Sequence, residues 1–405
     1  MMYVPSRSHA DASVAALHDH GVRYGPELRV LIVGGGIAGL TLAALLEQRD
    51  FAPVVVERAP GSSGSEYGLG LWPAGSNILK GLGLFRRFDE VATACARYVA
   101  ANEHGEVLHT YSLAHIAETY GPLMNVSRAD LIGVLRHAVT DGRIRFGANV
   151  AEIQQSAAGA VATFDDGTRE AFDVIVGCDG VRSSIRRLVF GDVPLAYTGL
   201  TGWAFSVASP FVPPAEVVEY WGTNKFVTIY PMRNRMSVLM AARAAANTPD
   251  PLESRAGRLR GLFAEFGGPV PWLLGELATV ENVFHDDFNA VHMDRWHQGR
   301  VVLIGDAATG SLPMNAMGAA LAMESAAVLS EEMCRTDSSH VTVALERFVA
   351  RRRVRVDHIH GQSRRLGKVM LAGGRLMRKL RDEGVRLSPD ALVLDELEGM
   401  LADRI

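Results

Sequence analysis

The segment LRVLIVGGGIAGLTLAALLEQRDFAPVVVERA, residues 28–59, constrains the fold more than any other part of the chain. It predicts a buried strand, a glycine turn, an Ala/Leu-rich helix and a second strand ending in Glu57. In such a unit one glycine permits the tight turn, the next lets a pyrophosphate approach, and the last lets the helix pack closely on the strand. These positions are taken here by Gly34, Gly36 and Gly39.

Glycine turns alone are weak evidence, because they also occur for purely structural reasons. Here the strand, the helix and the terminal acid are all in place, so we predict that the segment binds a dinucleotide. Glu57 is expected to accept hydrogen bonds from ribose hydroxyls, which disfavours a ribose 2′-phosphate and is compatible with FAD or NAD. The other predicted contacts in this unit are Ile37, Ala38 and Arg58.

Two later stretches repeat the pattern of a strand followed by an acid and a helix. FDVIVGCDGVRSSIRRLVFG, residues 172–191, carries Asp179 and Gly180, and GRVVLIGDAATGSLPMNAMGAALAMES, residues 299–325, carries Asp306. Each aspartate alone is explained by helix capping. Small residues at the second helix start, however, leave backbone N–H groups open to a ligand.

Taken together, these motifs resemble the three signature motifs of the class A flavoprotein monooxygenases, the group typified by para-hydroxybenzoate hydroxylase. The salicylate-hydroxylase-like branch is the most similar. The resemblance extends from about Leu28 to about Leu366 and includes GLGLWPAGSNILKGLGL, residues 68–84, and SRADLIGVL, residues 127–135.

The resemblance implies a non-covalent FAD and a transient NADH or NADPH. Asp306 would lie by the ribityl chain and pyrophosphate, Arg128 nearby, and Asp179 near the phosphates and the nicotinamide path. Backbone amides of the last helix would face the pyrimidine edge of the flavin. The remaining contacts implied are Gly70, Val150, Pro313, Gly318, Ala319 and Ala320. Through a flavin C4a-hydroperoxide, O₂ would then hydroxylate or epoxidise an electron-rich substrate.

The predicted fold class is α/β, with a Rossmann-like FAD-binding domain interleaved with an antiparallel substrate sheet, followed by C-terminal helices. The FAD-binding domain is assigned to residues 28–96, 112–190 and 285–345, and the substrate domain to 97–111 and 191–284. Residues 346–405 form a helical segment and 1–27 an extension outside the fold. A hairpin is predicted at Asp166-Gly167.

The chain departs from the family around the flavin, which bears on the substrate. Thr309 stands where many relatives have His, Met317 where they have Gln, and Ala204 where an Arg is usual. We therefore expect a bulky, largely apolar substrate, such as a natural-product intermediate, with Tyr230 and Tyr220 as its hydrogen-bonding side chains. The predicted pocket residues are Trp203, Phe205, Met240, Met314 and Met317, although such residues also fill cores.

Composition restricts the partners. A net charge of −4 over 405 residues gives no reason to expect nucleic acid. The three cysteines fit neither a metal-ligand spacing nor a disulfide framework, and no signal peptide is visible, so we expect a cytoplasmic protein without an integral membrane segment. The expected partners are a small-molecule substrate and O₂, with the chain as monomer or homodimer.

Two other functions remain open at this stage. One is a flavin oxidase, reductase or halogenase on the same fold, and the other is an accessory protein that holds FAD without turnover. The basic stretch from Arg351 to Arg381 is expected to be a solvated face or a subunit contact rather than a lipid contact.

Overall fold

The computed structural model describes residues 22–61, 67–208 and 215–402. The strands of these residues are β1 Val30–Val33, β2 Val54–Glu57, β3 Gly68–Leu71, β4 Thr93–Cys95, β5 Arg97–Asn102, β6 Val107–Ser112, β7 Leu123–Ser127, β8 Ile144–Phe146, β9 Val150–Gln155, β10 Ala160–Phe164, β11 Arg169–Phe172, β12 Val174–Gly177, β13 Ala196–Ala208, β14 Glu216–Trp221, β15 Lys225–Met232, β16 Arg235–Arg243, β17 Phe284–Ala290, β18 His297–Gln298 and β19 Val301–Leu303.

Helices connect these strands and form the C-terminal part of the described chain. They are α1 Ile37–Glu47, α2 Pro73–Gly81, α3 Phe85–Asp89, α4 Ala114–Thr119, α5 Arg128–Arg136, α6 Ser184–Phe190, α7 Leu252–Leu262, α8 Val270–Glu276, α9 Asp306–Thr309, α10 Gly318–Cys334, α11 Val341–Met370, α12 Arg375–Arg386 and α13 Asp390–Leu401. None of the helices in these described ranges is both long and apolar enough to cross a membrane.

A six-stranded sheet has the order β18-β19-β12-β1-β2-β8, and every pairing except β18 with β19 is parallel. All residues of β1, β12 and β19 are buried, as expected for a parallel sheet covered on both faces. The strands come from distant parts of the chain and bring their carboxyl ends to one edge. The predicted Rossmann-like part of the fold is confirmed.

A seven-stranded sheet has the order β17-β13-β16-β15-β14-β5-β6. Its pairings are antiparallel except that of β14 with β5, which is parallel. Residues 97–111 therefore join this sheet through a long-range contact, which confirms the interleaved α/β fold class. The domain limits themselves stay a prediction.

The hairpin predicted at Asp166-Gly167 is confirmed by the antiparallel pairing of β10 with β11. Gly167 has a φ of 85°, and the Asp166 carboxylate accepts a hydrogen bond from the Thr168 amide at 2.8 Å. A left-handed glycine after an aspartate is the usual chemistry of such a turn.

The predicted N-terminal extension, residues 1–27, mostly lies outside the described residues. Its described end is part of the fold, which corrects the prediction for this stretch. Arg23 donates to Asp173 at 2.6 and 3.0 Å, and the side chain of Asp173 is fully buried beside the six-stranded sheet. Tyr24 also forms a β-bridge with Asp337. A buried carboxylate needs such a partner, so the sequence before β1 is held in place.

Candidate functional site

A groove of about 630 Å³ opens at the carboxyl edge of the six-stranded sheet. We call it the glycine groove. Its wall includes the turn after β1, the acids at the ends of β2 and β12, and several cations. The residues of this wall that the sequence predicted are Gly34, Gly36, Glu57, Arg58, Arg128 and Asp179.

The turn itself shows why its glycines are needed. Gly34 has a φ of 113°, and a Cβ there would lie 2.5 Å from the Cys178 carbonyl oxygen. A Cβ at Gly39 would lie 2.0 Å from the carbonyl oxygen of Gly34. Gly36 differs, because a Cβ there would meet only an Arg128 nitrogen at 3.9 Å. The first and last glycines therefore serve packing, whereas Gly36 borders open space.

Glu57 ends β2 beside this turn. Its carboxylate accepts hydrogen bonds from the Gly35 amide at 2.8 Å and from the Ala59 amide at 2.9 Å. These bonds hold the side chain against the groove, and each carboxylate oxygen keeps a further lone pair for a hydroxyl donor. The position fits the predicted contact with a ribose.

Asp179 caps the start of α6, as expected if its role is helix capping and not only ligand binding. Its Oδ2 accepts hydrogen bonds from the Ser184 amide at 2.6 Å and the Ile185 amide at 3.1 Å. It also lines the groove, so capping and ligand contact are compatible. The buried Arg186 donates to the Ala307 carbonyl at 2.8 Å and thereby ties α6 to α9.

Asp306 begins α9 after Gly305, and solvent reaches part of the residue. Desolvation of its carboxyl by the surrounding protein raises the pKa, and the positive charge of Arg128 opposes this. Burial likewise raises the pKa of Tyr67, with Arg128 lowering it and Asp306 raising it further. Arg128 donates its amide to the Tyr67 carbonyl at 2.9 Å. These three residues thus lie together, and Tyr67 was not predicted from the sequence.

The loop between α9 and α10 is held by side chains from outside it. Trp72 Nε1 donates to the Asn315 carbonyl at 2.9 Å, and Asn315 Nδ2 donates to the Ile359 carbonyl at 3.1 Å. Ala316 is left-handed at a φ of 52°. The first intrahelical bond of α10 runs from Leu321 to the Met317 carbonyl at 2.8 Å. The preceding amides, on Gly318, Ala319 and Ala320, therefore point out of the helix.

The remaining predicted cofactor contacts are not part of the groove wall. Ile37, Ala38 and Gly39 form the first turn of α1 directly behind it. Val150 is buried at the start of β9, although its neighbours Ala148 and Asn149 line the groove. Pro313 lies in the loop before α10, and Gly70 lines a second cavity.

That second cavity has a volume of about 580 Å³ and lies between the seven-stranded sheet and α11, α12 and α13. We call it the sheet-face cavity. The sheet contributes Tyr98, Val217, Glu219, Trp221 and Tyr230, and the loop contributes Met314, Asn315 and Ala316. Its helical wall includes Gln362, Leu366, Arg381, Val385, Leu397 and Met400.

Several predicted substrate residues do not line this cavity. Trp203, Phe205 and Met240 pack on the opposite face of the sheet, against α7 and α8. Trp203 also stacks on His285 at 5.5 Å and donates to Asp250 at 3.2 Å. Successive side chains of a strand point to opposite faces of the sheet, and the prediction combined residues from both faces into one pocket. These three residues therefore lie outside the sheet-face cavity, whereas Met314 lines it.

Two further predictions need correction. Tyr220, predicted as catalytic, points to the same far face as Trp203 and packs near Gly268. Met317, predicted to line the pocket, is fully buried in the main core at the start of α10. Tyr230, the other predicted catalytic residue, does line the cavity. Burial and the negative charge of Glu219 raise the pKa of its hydroxyl, which keeps it a neutral phenol.

Glu219 was missed by the sequence reading. It lies in the middle of β14, where burial raises the pKa of its carboxyl. Tyr98 donates to its Oε2 at 2.6 Å, and Trp221 Nε1 donates to the same oxygen at 3.0 Å. A signal was available in the segment EVVEYWG, because a charged residue inside a strand of apolar neighbours is rarely buried without a reason.

The groove fits FAD. Gly36 leaves open space for a diphosphate, Glu57 offers acceptors for a ribose, and Arg58, Arg128 and Arg187 supply positive charge along the wall. The amides at the start of α10 that have no acceptor within the helix can stabilise negative charge on a reduced ring. When bound, FAD supplies the electron transfer and the activation of O₂.

Comparison with known proteins agrees with this assignment. Among curated relatives, 3-amino-4-hydroxybenzoate 2-monooxygenase of Streptomyces platensis is 31% identical over 379 residues, covering 91% of this chain and 94% of that protein. The 2-heptyl-3-hydroxy-4(1H)-quinolone synthase of Pseudomonas aeruginosa is 30% identical, with 90% and 95% covered.

Solved structures show the same fold. HpxO of Klebsiella pneumoniae, complexed with FAD and uric acid, has a TM-score of 0.86 at 22% identity, covering 94% of this chain and 98% of that one. A salicylate hydroxylase substrate complex has a TM-score of 0.74 at 20% identity, covering 94% and 96%. The family described as FAD binding domain matches residues 27–359. The chain therefore belongs to the FAD-binding-domain family, and it is an FAD-dependent monooxygenase of class A.

Proposed function

We propose that the protein uses NADH or NADPH and O₂ to hydroxylate an aromatic, largely apolar small molecule in the sheet-face cavity. One observation carries the proposal. The segment formed by α9 and the loop after it begins at Asp306, near Arg128 of the glycine groove, and continues into Met314, Asn315 and Ala316 of the cavity wall. A substrate in the cavity would therefore lie beside the place where the flavin ring is expected.

The cavity wall supports an aromatic substrate. It is mainly apolar, and Trp72, Tyr98, Trp221 and Tyr230 supply flat surfaces. The names of the two curated relatives indicate an aminohydroxybenzoate in one case and an alkylated quinolone in the other. At about 580 Å³ the cavity has room for either class of ring.

The residues of this chain position the substrate and exclude water. Helices α12 and α13 cover the cavity with Val385, Leu397 and Met400, which separates the reacting ring from bulk solvent. Arg381 holds this cover to the sheet by donating to the Trp221 carbonyl at 3.0 Å and to the Met370 carbonyl at 2.9 Å. Tyr230 stays protonated and can donate a hydrogen bond to the substrate.

The test is product analysis under ¹⁸O₂ with the purified yellow protein, NAD(P)H and a panel of aminophenols, quinolones and indoles. We expect one product to gain a single ¹⁸O atom while NAD(P)H is consumed. Oxygen drawn wholly from water, or a product that is only desaturated, would establish an oxidase instead. A chlorinated product in the presence of chloride would indicate a halogenase, and no turnover with any compound would favour an accessory role.

A further inference from the structure

The sheet-face cavity contains a carboxylate that the functions assigned so far do not use. Glu219 is only 7% exposed, and in the described part of the chain no Lys or Arg forms a salt bridge with it. Burying a carboxylate without a cation is costly, and such groups are concentrated at functional sites. We therefore expect the Glu219 carboxylate to bind a ligand or to take part in the reaction.

Its hydrogen bonds leave one oxygen for a ligand. Tyr98 and Trp221 both donate to Oε2, so neither bond uses Oε1. Oε1 accepts no hydrogen bond in the described residues, although the Thr228 hydroxyl lies close enough to the carboxylate to lower its pKa. Oε1 is also absent from the unpartnered side-chain atoms that are closed off from solvent. Two donors on one oxygen fix the orientation of the carboxylate. The other oxygen is thereby presented to the cavity that Glu219 lines.

We propose that Glu219 accepts the ring N–H or O–H of the substrate and takes up that proton during hydroxylation. This inference rests on the proposed function and narrows its substrate class to aromatic rings that carry an ionisable N–H or O–H, such as a phenol, an aminophenol or a 4-quinolone. The remainder of the substrate is apolar, because the other sheet residues of the cavity, Val217 and Trp221 among them, offer mainly apolar surface.

The proton balance is simple. The O–H or N–H bond of the substrate breaks, its electron pair stays on the ring, and a new O–H bond forms on Glu219 Oε1. The ring carbon becomes more nucleophilic and forms a C–O bond to one atom of O₂ as the O–O bond breaks. The proton of that carbon then moves to the ring O or N, which restores the aromatic ring. The second oxygen atom leaves as water, with one hydrogen from Glu219 and one that originates from NAD(P)H and solvent. NAD(P)H supplies the two electrons required by the proposed function.

A base at Glu219 would replace one that is missing at Thr309. Thr309 stands where many relatives carry His, and its hydroxyl donates to the Gly305 carbonyl at 3.2 Å. A threonine cannot serve as a base near neutral pH. Glu219, on the sheet wall of the cavity, would supply the missing base.

The pH dependence follows from the surroundings of the carboxylate. Burial raises the pKa of Glu219, while the hydroxyls of Tyr98 and Thr228 and the indole N–H of Trp221 lower it. The titratable or charged groups lining the cavity from other elements are Tyr98, Tyr111, Tyr230, Arg365, Arg381 and Glu396. A base is active only when it is deprotonated, so turnover should fall as the pH drops through the raised pKa.

The experiment uses the FAD-loaded enzyme and two matched pairs of probes. One pair is 2-heptyl-4(1H)-quinolone and its N-methyl analogue, and the other is 3-amino-4-hydroxybenzoate and its 4-methoxy analogue. For the unblocked probe that wild type hydroxylates best, Glu219→Gln should lower kcat by about 10²–10⁴-fold. Wild type and variant should hydroxylate the blocked analogue equally slowly. The fall in kcat at low pH that is expected for wild type should be absent from the variant.

Glu216→Gln is the matched control, because Glu216 begins the same strand but pairs with Arg97 and does not line the cavity. It should keep the wild-type rate and pH profile.

FAD content and NAD(P)H-driven flavin reduction verify that Glu219→Gln is folded. If that variant does not fold, two wild-type measurements test the role of Glu219. They are the ratio of rates on unblocked and blocked probes, and the fall of the rate at low pH. Equal use of both members of each pair, or a Glu219→Gln rate within about twofold of wild type, overturns the role of Glu219. No hydroxylation of any probe by wild type would instead overturn the proposed function.

Discussion

The glycine groove and the sheet-face cavity are built in opposite ways. The groove is made largely from short segments that follow strands of the parallel sheet, and its chemistry comes from backbone amides and from acids at strand ends. The cavity is made from side chains of strands, a loop and three helices that are far apart in the sequence. A backbone-built site tolerates few changes at its glycines, whereas a site built from side chains can change its ligand by single substitutions.

The largest effect is expected in the groove. Gly36→Val should reduce FAD affinity on the order of 100-fold or more, since a side chain would occupy the diphosphate space and remove charge-assisted hydrogen bonds. The fold should survive, because a Cβ at this position meets only an Arg128 nitrogen at 3.9 Å. Equilibrium dialysis with FAD and circular dichroism measure the two effects.

Gly133→Val is the control for that substitution. Gly133 lies in α5, and a Cβ there meets nothing within 4 Å. FAD affinity should stay within about twofold of wild type, and stability should rise by less than about 1 kcal/mol, because Val is a better helix former than Gly. Wild-type FAD binding by Gly36→Val would show that the groove is not the diphosphate site, and the contrast between the two regions would fail.

A smaller effect on FAD is expected at Asp306. Replacement by Asn should weaken FAD binding about tenfold, by the loss of one charge-assisted hydrogen bond of about 1.5 kcal/mol. Because burial raises the pKa of Asp306, its carboxylate takes up a proton at a higher pH than a free aspartate does. Wild-type FAD affinity should therefore fall as the pH drops toward the raised pKa, whereas the affinity of the variant should respond less.

Equilibrium dialysis between pH 7 and pH 4, limited to the range in which the protein stays folded, measures that dependence. A parallel decline in wild type and Asp306→Asn would assign the pH effect to another group. Asp306 would then be only the first residue of α9.

The smallest effect separates the two faces of the seven-stranded sheet. Tyr230→Phe should lower kcat/KM by about tenfold, the value of one hydrogen bond to the substrate. Tyr220→Phe removes the same hydroxyl from the far face and should leave kcat/KM within about twofold. Steady-state rates with the best compound of the ¹⁸O₂ screen measure both. Equal losses in the two variants would contradict the assignment of the faces.

The amino-acid sequence by itself determined the parallel sheet, the glycine turn, Glu57 and the acids at the ends of later strands. These features are local, because a turn that requires glycine or a strand followed by a helix leaves its pattern within about 30 residues. The hairpin at Asp166-Gly167 is of the same kind, since the turn residues adjoin the strands that they connect.

Tertiary structure alone decided which side chains face the substrate. The alternation of side chains along β13, β14 and β15 was visible in the sequence, but not which set of alternate residues faces the cavity. Helices α7 and α8 pack on one face of the sheet and bury its residues in a core, whereas α11, α12 and α13 enclose the cavity over the other face. That is why Trp203 and Tyr220 were misplaced and Glu219 was overlooked. The energy that selects a face comes from burying apolar area against distant elements, and it leaves no unique pattern in a single strand.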